Sequence, residues 1–216
     1  MTTVLISCGQ EHKSTPVLEA KDIETSNTSD TTEIQKNVTI SNDKYIDTKY
    51  VYTDSDGKRI IVKNSLPKGG LKYTAPNGKE YVYAVFWTRI TNETDNPFEL
   101  TMGFTESSYE LPSSPGRFFK LFIPTDTLTQ GKESLFNYGL DLEKYLDDSF
   151  HRQADLKRTI NPKSSSGFYI VTLFNKGVDG TLRTGLSIKE QNILYRINDI
   201  EIHCGNINLK QLKQHE

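Results

Sequence analysis

The amino-acid sequence predicts an all-β protein: an antiparallel β-sandwich, immunoglobulin-like or jelly-roll-like, with one short capping helix. Apolar and polar residues alternate along residues 98–104, which is the pattern of a strand with one buried face. About nine or ten β-rich runs follow one another from residue 45 onward, with turn-forming residues between them. Helical patterns do not alternate with these runs, so the sequence favours two packed antiparallel sheets over a doubly wound parallel sheet.

Composition and charge limit the functions that the chain can have. Of its 216 residues 35% are hydrophobic, and the shortfall lies mainly in the first forty or so, so the remainder has enough apolar residues for a core. The formal net charge of −2, with lysines spread along the chain, argues against a nucleic-acid partner. No run approaches the roughly 18 apolar residues of a membrane span, and two cysteines, Cys8 and Cys204, do not make a disulfide framework.

Two turn sequences predict β-hairpins in the first half of the chain. Asp56-Gly57 lies between the β-rich runs 50–53 and 58–62, and Asn77-Gly78 lies between the runs 71–74 and 79–81. A calcium loop is the alternative at the first turn, but the further ligands and the closing bidentate glutamate of such a loop do not follow.

The sequence Pro67-Lys68-Gly69-Gly70 between these hairpins predicts a turn. A phosphate-binding loop is the alternative, since glycines beside a lysine can surround a phosphate. The spacing of a Walker motif is missing, however, and no serine or threonine follows Lys68.

Residues 81–104 form the predicted centre of the fold. Residues 81–90 are apolar on both faces of the predicted strand, which indicates a central strand covered on both sides. The polar loop 92–97 then leads into the alternating strand 98–104. We expect these two strands to form the core hairpin of the sandwich.

The second half of the chain contains further strands and the predicted helix. Apolar residues recur at three- and four-residue spacing within residues 135–150, which predicts a short helix that caps an open end of the sandwich. The connector is expected at residues 161–167. The remaining strands are predicted at residues 117–124, 168–174, 181–188, 193–197 and 200–204.

The candidate ligand-binding residues lie on the predicted strands. They are Tyr81, Tyr83, Trp87, Arg89 and Arg183. The three aromatic residues share one face, so they would form a platform for sugar rings or a protein partner if that face were exposed. The alternative is a purely structural role, in which they fill the space between the sheets or lie under the helix. We expect the two arginines to form ion pairs with Glu99 or another carboxylate. The alternative is that they line a cleft.

No catalytic or metal-binding motif is recognisable, so the sequence predicts no enzyme, no cofactor and no metal site. A metal site or a serine–histidine pair would have to use His151 or His203. His203 and Cys204 are neighbours on a predicted strand and therefore point to opposite faces. We interpret them as a packed histidine and an inert buried thiol.

Leu5-Ile6-Ser7-Cys8 resembles the lipobox of bacterial lipoproteins. The resemblance implies cleavage before Cys8 and acyl chains on its thiol and new amino group, since a single acyl chain gives only marginal membrane binding. A secretory signal needs a basic region and about 7–15 apolar residues. Only residues 1–4 precede the box, so this interpretation requires a longer precursor. The alternative is a chance tetrapeptide at the start of a cytosolic protein.

The polar stretch that follows sets the domain organisation. It is rich in Ser, Thr, Asn, Asp, Glu and Lys and lacks the apolar residues to fold alone. We predict a lipobox remnant and disordered tether over residues 1–43, one β-sandwich domain over residues 44–210, and a polar tail over residues 211–216.

A set of short motifs is spread over residues 60–205. It comprises Pro67-Lys68-Gly69-Gly70, Tyr73-Thr74, Asn77-Gly78-Lys79, Phe86-Trp87-Thr88-Arg89, Asn92-Glu93-Thr94, Pro97-Phe98-Glu99-Leu100, Phe168-Tyr169, Leu182-Arg183-Thr184-Gly185-Leu186 and Tyr195-Arg196-Ile197. The combination resembles a group of bacterial exported proteins to which no activity is assigned. The resemblance implies one continuous module and transfers no catalytic residue.

The leading hypothesis is a non-enzymatic binding or structural module of the bacterial cell envelope. It would be held at the outer membrane or on a periplasmic face by a lipid at Cys8, with a glycan or an envelope protein as partner. A carbohydrate-binding module that uses the aromatic row is the first alternative. A hydrolase with a pair of loop-borne carboxylates is the second.

Overall fold

The computed structural model describes residues 43–150, 152, 154–207 and 213–215. The lipobox, the predicted tether up to residue 42 and His151 lie outside the described residues. The elements are β1 (Ile46–Thr53), β2 (Arg59–Ser65), β3 (Lys68–Thr74), β4 (Glu80–Asn92), β5 (Phe98–Phe104), β6 (Tyr109–Glu110), β7 (Phe118–Phe122), α1 (Leu142–Ser149), β8 (Ala154–Ile160), β9 (Ser164–Phe174), β10 (Thr184–Lys189), β11 (Asn192–Ile197), β12 (Ile200–Ile207) and β13 (Lys213–His215), with short 3-10 turns at Asp43–Tyr45, Gln130–Ser134 and Phe136–Gly139.

The strands form two antiparallel sheets, which confirms the predicted all-β sandwich. The first sheet has the order β13-β1-β2-β4-β9-β7-β6, and β3 also pairs with β4. The second sheet has the order β10-β11-β12-β5-β8. One large apolar cluster draws side chains from both sheets and is the core between them.

Strand β4 is covered on both faces, as predicted for residues 81–90. Ala84, Phe86 and Ile90 point into the core between the sheets. Alternate residues point the other way, so Tyr83 and Trp87 belong to a second apolar cluster on the outer face of the first sheet. On one edge β4 pairs along its whole length with β9; on the other it pairs with β2 at its end and with β3 at its start.

The predicted hairpin between β4 and β5 is wrong. Strand β4 belongs to the first sheet, whereas β5 pairs with β8 and β12 in the second. The loop between them crosses from one sheet to the other around the buried Asn92 side chain. Its Nδ2 donates to the carbonyl oxygens of Asn96 (2.9 Å) and Ile160 (3.1 Å), and its Oδ1 accepts from the Thr94 amide (2.9 Å). This network makes the loop a crossover rather than a tight turn.

The two hairpins predicted from Asp-Gly and Asn-Gly are confirmed as β1–β2 and β3–β4. Gly57 and Gly78 have φ values of 75° and 78°, which glycine adopts without steric cost. At the first turn the Asp54 carboxylate accepts hydrogen bonds from the amides of Asp56 (3.0 Å) and Lys58 (2.7 Å), so it serves the turn.

The predicted helix is confirmed in its second half only. Residues 142–149 form α1, whereas residues 130–139 form two 3-10 turns. Leu142, Leu146 and Phe150 are buried against the outer face of the first sheet. The predicted position at an open end of the sandwich is therefore wrong. Residues 128–150, named here the covering segment, therefore form a third layer over part of that sheet.

Three strands were not predicted. Strand β8 shows buried residues at every second position near its start, and β6 lies within a stretch that the sequence suggests is a loop. Residues 213–215, which fall in the predicted polar tail, pair with β1 as β13.

A buried amide joins an edge of the second sheet to the first. Asn64 on β2 is 1% exposed, and its side chain makes two hydrogen bonds to the backbone of Leu186 on β10, as a neighbouring strand would. Its Nδ2 donates to the Leu186 carbonyl oxygen (3.0 Å), and its Oδ1 accepts from the Leu186 amide (2.9 Å). Thr48 Oγ1 accepts from the same Nδ2 (3.0 Å), and Thr88 Oγ1 donates to the same Oδ1 (2.9 Å). All four hydrogen-bonding positions of the carboxamide are thereby used.

We predict that Asn64→Ala lowers the free energy of unfolding by about 2–4 kcal/mol, because it leaves several buried polar groups without partners. Chemical denaturation followed by circular dichroism measures this loss. Asn206 is exposed on β12, and Asn206→Ala, the matched control, should change stability by less than about 0.5 kcal/mol. Equal losses in the two variants would show that the amide bridge is unimportant.

Candidate functional site

The predicted aromatic row is covered rather than exposed. Trp87 is 1% exposed and Tyr83 is 5% exposed, because the covering segment packs on them. Tyr81 is half-buried, with its ring edge-on to that of Phe150 at 5.6 Å between centroids. The alternative of an exposed platform at Tyr81, Tyr83 and Trp87 is therefore wrong, and the interpretation that these residues lie under the helical segment is the one that the structure supports.

Hydrogen bonds fix the covering segment to the sheet. Tyr138 is fully buried, and its hydroxyl donates to the Leu66 carbonyl oxygen at 2.6 Å. Its own carbonyl oxygen accepts from the Tyr169 hydroxyl at 3.1 Å. Asn137 Nδ2 donates to the Tyr83 hydroxyl at 2.9 Å. The turn Phe136–Gly139 is thus attached to three strands or strand connections of the first sheet.

This turn has an unusual backbone. Asn137, Tyr138 and Gly139 follow one another with φ values of 46°, 56° and 71°. Left-handed conformations are unfavourable for residues with a Cβ, above all for a bulky one such as Tyr138. The turn directs Asn137 and Tyr138 inward and leaves Leu135 and Phe136 outside. The buried contacts of Tyr138 maintain this conformation.

Arg89 forms an ion pair with the covering segment. Its Nη2 lies 2.5 Å from Glu133 Oε1, and the two side chains are 25% and 4% exposed. The guanidinium also lies 5.3 Å from the Trp87 ring. Glu99, the carboxylate suggested by the sequence, lies instead 3.8 Å from Lys157.

Lys68 joins β3 to the same segment. Its Nζ donates to the carbonyl oxygens of Glu133 (2.7 Å) and Leu135 (2.6 Å). It also lies 4.1 Å from the ring centroid of Tyr138 and 4.8 Å from that of Tyr45. Partial burial lowers the pKa of the Lys68 ammonium below its usual value. Residues 67–70, predicted as a turn, instead begin an edge strand, and the lysine is turned toward protein carbonyls.

Three buried polar atoms at this junction have no hydrogen-bond partner in the structure. They are Trp87 Nε1, Glu133 Oε1 and Asn137 Oδ1. The sequence pattern indicates neither Glu133, which precedes the predicted helix, nor Asn137, which falls within it. The Asn-Tyr-Gly sequence at 137–139 was the available signal, since Asn and Gly are the residues that tolerate positive φ best.

A cleft of about 480 Å³ opens beside Lys68. Its lining consists of Pro67, Lys68, Gly69, Gly70, Val82, Tyr83, Ala84, Phe174, Gly177, Val178, Gly180, Thr181 and Leu182. One wall is the start of β3 and β4, and the other is the loop between β9 and β10. Apolar side chains and glycine backbone make up most of this surface, and the volume is that of a small-molecule site.

Gly69 shapes the cleft because no other residue fits there. Its φ is 113°, and a Cβ would lie 2.8 Å from the carbonyl oxygen and 2.9 Å from a ring carbon of Tyr83. The backbone of β3 therefore lies directly against the Tyr83 ring, and the pairing with β4 shifts at this point to form a bulge.

Two further cavities of about 330 Å³ each lie near the end of α1. They share Phe122, Arg152 and Ala154, and their remaining lining is more polar and charged than that of the cleft beside Lys68. We take the larger, more apolar cleft as the candidate site.

The structure does not bring Arg183 into this site. Its side chain pairs with Asp47 on β1, and its backbone amide donates to Asn198 Oδ1 at 2.9 Å. The interpretation of His203 as a packed histidine is wrong, because its side chain is exposed. Cys204 is buried on the opposite face of β12, as predicted. Burial raises the pKa of the Cys204 thiol to about 12.

Comparisons with known protein families, with curated proteins and with solved structures give no match to this chain. Within the described residues, no group of three or more metal-ligating side chains comes together. In that same part of the chain, no helix has the length and apolar character needed to cross a bilayer.

We predict a loss of stability at alkaline pH from tyrosines beneath the covering segment. Burial raises the pKa of Tyr138 and Tyr169 from 10 to about 12. Because each pKa is higher in the folded protein than in the unfolded chain, the neutral hydroxyl stabilises the folded state. This stabilisation is fully present below pH 10 and is lost as the pH rises from 10 to 12.

Denaturation curves across this pH range measure the effect. Tyr169→Phe should lose less stability than the natural chain between pH 10 and 12. Tyr50→Phe, at a half-buried tyrosine outside this cluster, should follow the natural chain. Identical pH profiles for all three proteins would contradict the assignment.

Proposed function

We propose that this chain is a non-enzymatic, lipid-anchored binding module of the bacterial cell envelope, and that it binds an apolar group in the cleft beside Lys68. The observation that carries the proposal is the composition of the cleft. Val82, Phe174, Val178 and Leu182 line its walls, and no aspartate or glutamate is among its lining residues. Such a surface favours the transfer of apolar groups from water.

The rim of the cleft supplies polar groups for orienting a ligand. Strand β3 pairs with β4 on one side, and no described strand pairs with its other side. At the cleft itself, Gly69 and Gly70 have no side chains, so a ligand there meets the backbone of β3. A few polar groups around an apolar interior are typical of small-ligand sites. An apolar chain with a polar end, or an apolar side chain of a peptide, fits this arrangement.

The proposed address depends on the N-terminal sequence. The lipobox-like Leu5-Ile6-Ser7-Cys8 and the polar stretch that follows have the composition of an anchor and a tether.

The two alternative functions receive less support. The glycan platform needed an exposed aromatic row, which is buried, and the hydrolase needed a carboxylate pair that the lining of this cleft does not provide.

We predict that the product isolated from its native host begins at Cys8 and carries acyl chains. Intact-mass analysis of the N-terminus, combined with membrane fractionation, tests this. Cys8→Ser should abolish the acyl mass and release the protein from the membrane, whereas Cys204→Ser should do neither. Recovery of an unmodified N-terminus in the soluble fraction would refute the proposed address.

A second prediction concerns the cleft. Val178→Trp should fill part of it and lower the affinity for a dansyl-labelled fatty acid by about tenfold or more, as measured by fluorescence titration. Val178 is half-buried, and so is Val51, which lies outside the cleft on β1. Val51→Trp is therefore the matched control and should leave the affinity unchanged. Equal affinities for both variants, or no binding by the natural chain, would contradict the proposal.

A further inference from the structure

Three large apolar side chains are exposed in or beside the covering segment. Phe136 is 69% exposed, Leu135 is 51% exposed and Leu71 is 48% exposed. Leu135 and Phe136 are adjacent in the covering segment, and Leu71 lies on β3, against which the turn Phe136–Gly139 packs. Leu71 shares a face of its strand with Tyr73, which is buried under α1. We name these three residues the apolar patch.

The patch is held in place by its backbone. The Leu135 carbonyl oxygen accepts the hydrogen bond of Lys68, and the left-handed residues that follow direct Phe136 outward. A Leu135 methyl carbon lies 3.2 Å from the position of a Cβ on Gly139, so the leucine rests against the turn. Exposed apolar side chains on such a fixed turn indicate a contact surface.

The described chain begins beside this patch. The Tyr45 carbonyl oxygen accepts from the Leu66 amide at 2.8 Å, and the Tyr45 ring lies under the same Lys68 ammonium that binds Leu135. A lipid on Cys8 would be connected to the domain through Asp43, which is 35 residues further along the chain. A flexible chain of that length spans about 30 Å. The proposed anchor would therefore keep the patch close to a bilayer.

Cationic side chains accompany the patch. Lys132 lies three residues before Leu135 and its side chain packs beside Gly139, and Lys44 precedes Tyr45. Apolar side chains flanked by lysines are typical of surfaces that enter the interface of an anionic bilayer.

We infer that the apolar patch docks on the lipid bilayer, with Leu135 and Phe136 inserted at the level of the headgroups. The inference rests on the proposed function, because the lipid at Cys8 supplies the proximity. It adds an orientation to that function. Lys68, Gly69 and Gly70 line the cleft and adjoin the patch, so docking places the mouth of the cleft next to the membrane and makes the acyl chain of a lipid its expected ligand.

Vesicle binding of the unlipidated chain tests the inference separately from the anchor. The full chain with Cys8→Ser is sedimented with vesicles of phosphatidylethanolamine and phosphatidylglycerol, and with vesicles of phosphatidylcholine alone. We expect stronger partition into the anionic vesicles, and a loss of about tenfold or more when Leu135→Ser and Phe136→Ser are combined. Phe118 on β7 is 43% exposed and lies outside the patch. Phe118→Ser is the matched control and should leave partition unchanged.

A site-specific label gives a second readout. In the Cys8→Ser chain, an environment-sensitive fluorophore on Ser134→Cys should shift to shorter wavelength when vesicles are added. The same label on Ser55→Cys should not shift, because Ser55 is exposed in the turn between β1 and β2, at the far end of β1 from Tyr45. Cys204 is buried and should not react with the label. A shift of the Ser134 label alone, together with the partition result, supports docking.

Three results would overturn the inference. The first is that the chain does not partition into vesicles and the Ser134 label does not shift. The second is that Phe118→Ser reduces vesicle partition as much as the double substitution does. The third is a concentration-dependent dimer that the double substitution abolishes while vesicle partition persists. The last result would assign the patch to a second copy of the chain. The acylation of Cys8 and the binding of the fatty-acid probe are measured without vesicles, so each of these results leaves the proposed function to be judged by its own experiments.

Discussion

One side chain sets the relation between the two sheets. The carboxamide of Asn64 replaces a neighbouring strand for Leu186, so the edge strand β10 is held against β2 by hydrogen bonds as well as by apolar packing. Since β10 begins directly after the loop that forms one wall of the cleft, the position of that wall depends on this contact. A buried polar group costs stability unless all its bonds are made, and here they are made. Its benefit is a fixed register between layers that apolar packing alone would leave adjustable.

The covering segment shows the opposite balance. It leaves Trp87 Nε1 and Asn137 Oδ1 without partners and places Tyr138 in a left-handed conformation. These costs are offset by the burial of aromatic rings on both sides and by the contacts of Lys68 and Glu133. The unpaired polar atoms and the left-handed residues thus lie together beside the candidate cleft. Such unfavourable features often cluster at functional sites.

The sequence predicted what local patterns determine. Period-two alternation identified β5, and the Asp-Gly and Asn-Gly turns identified two hairpins. The partner of β5 could not be predicted, because a crossover stabilised by Asn92 and a hairpin have the same strand pattern. The same limit applies to the site. Tyr83 and Trp87 were recognised as one face of a strand, but their burial depends on residues about fifty positions away, and Glu133 carries no local signal of its pairing with Arg89.

The edge of β3 that pairs with no described strand has a consequence for behaviour at high concentration. An unpaired strand edge is a template for intermolecular β-pairing and hence for aggregation. Here the bulge at Gly69 interrupts the regular spacing of its amides and carbonyls, and exposed Lys72 adds a charge that a flat stack of strands would have to bury. Both features oppose the addition of a second strand at this edge.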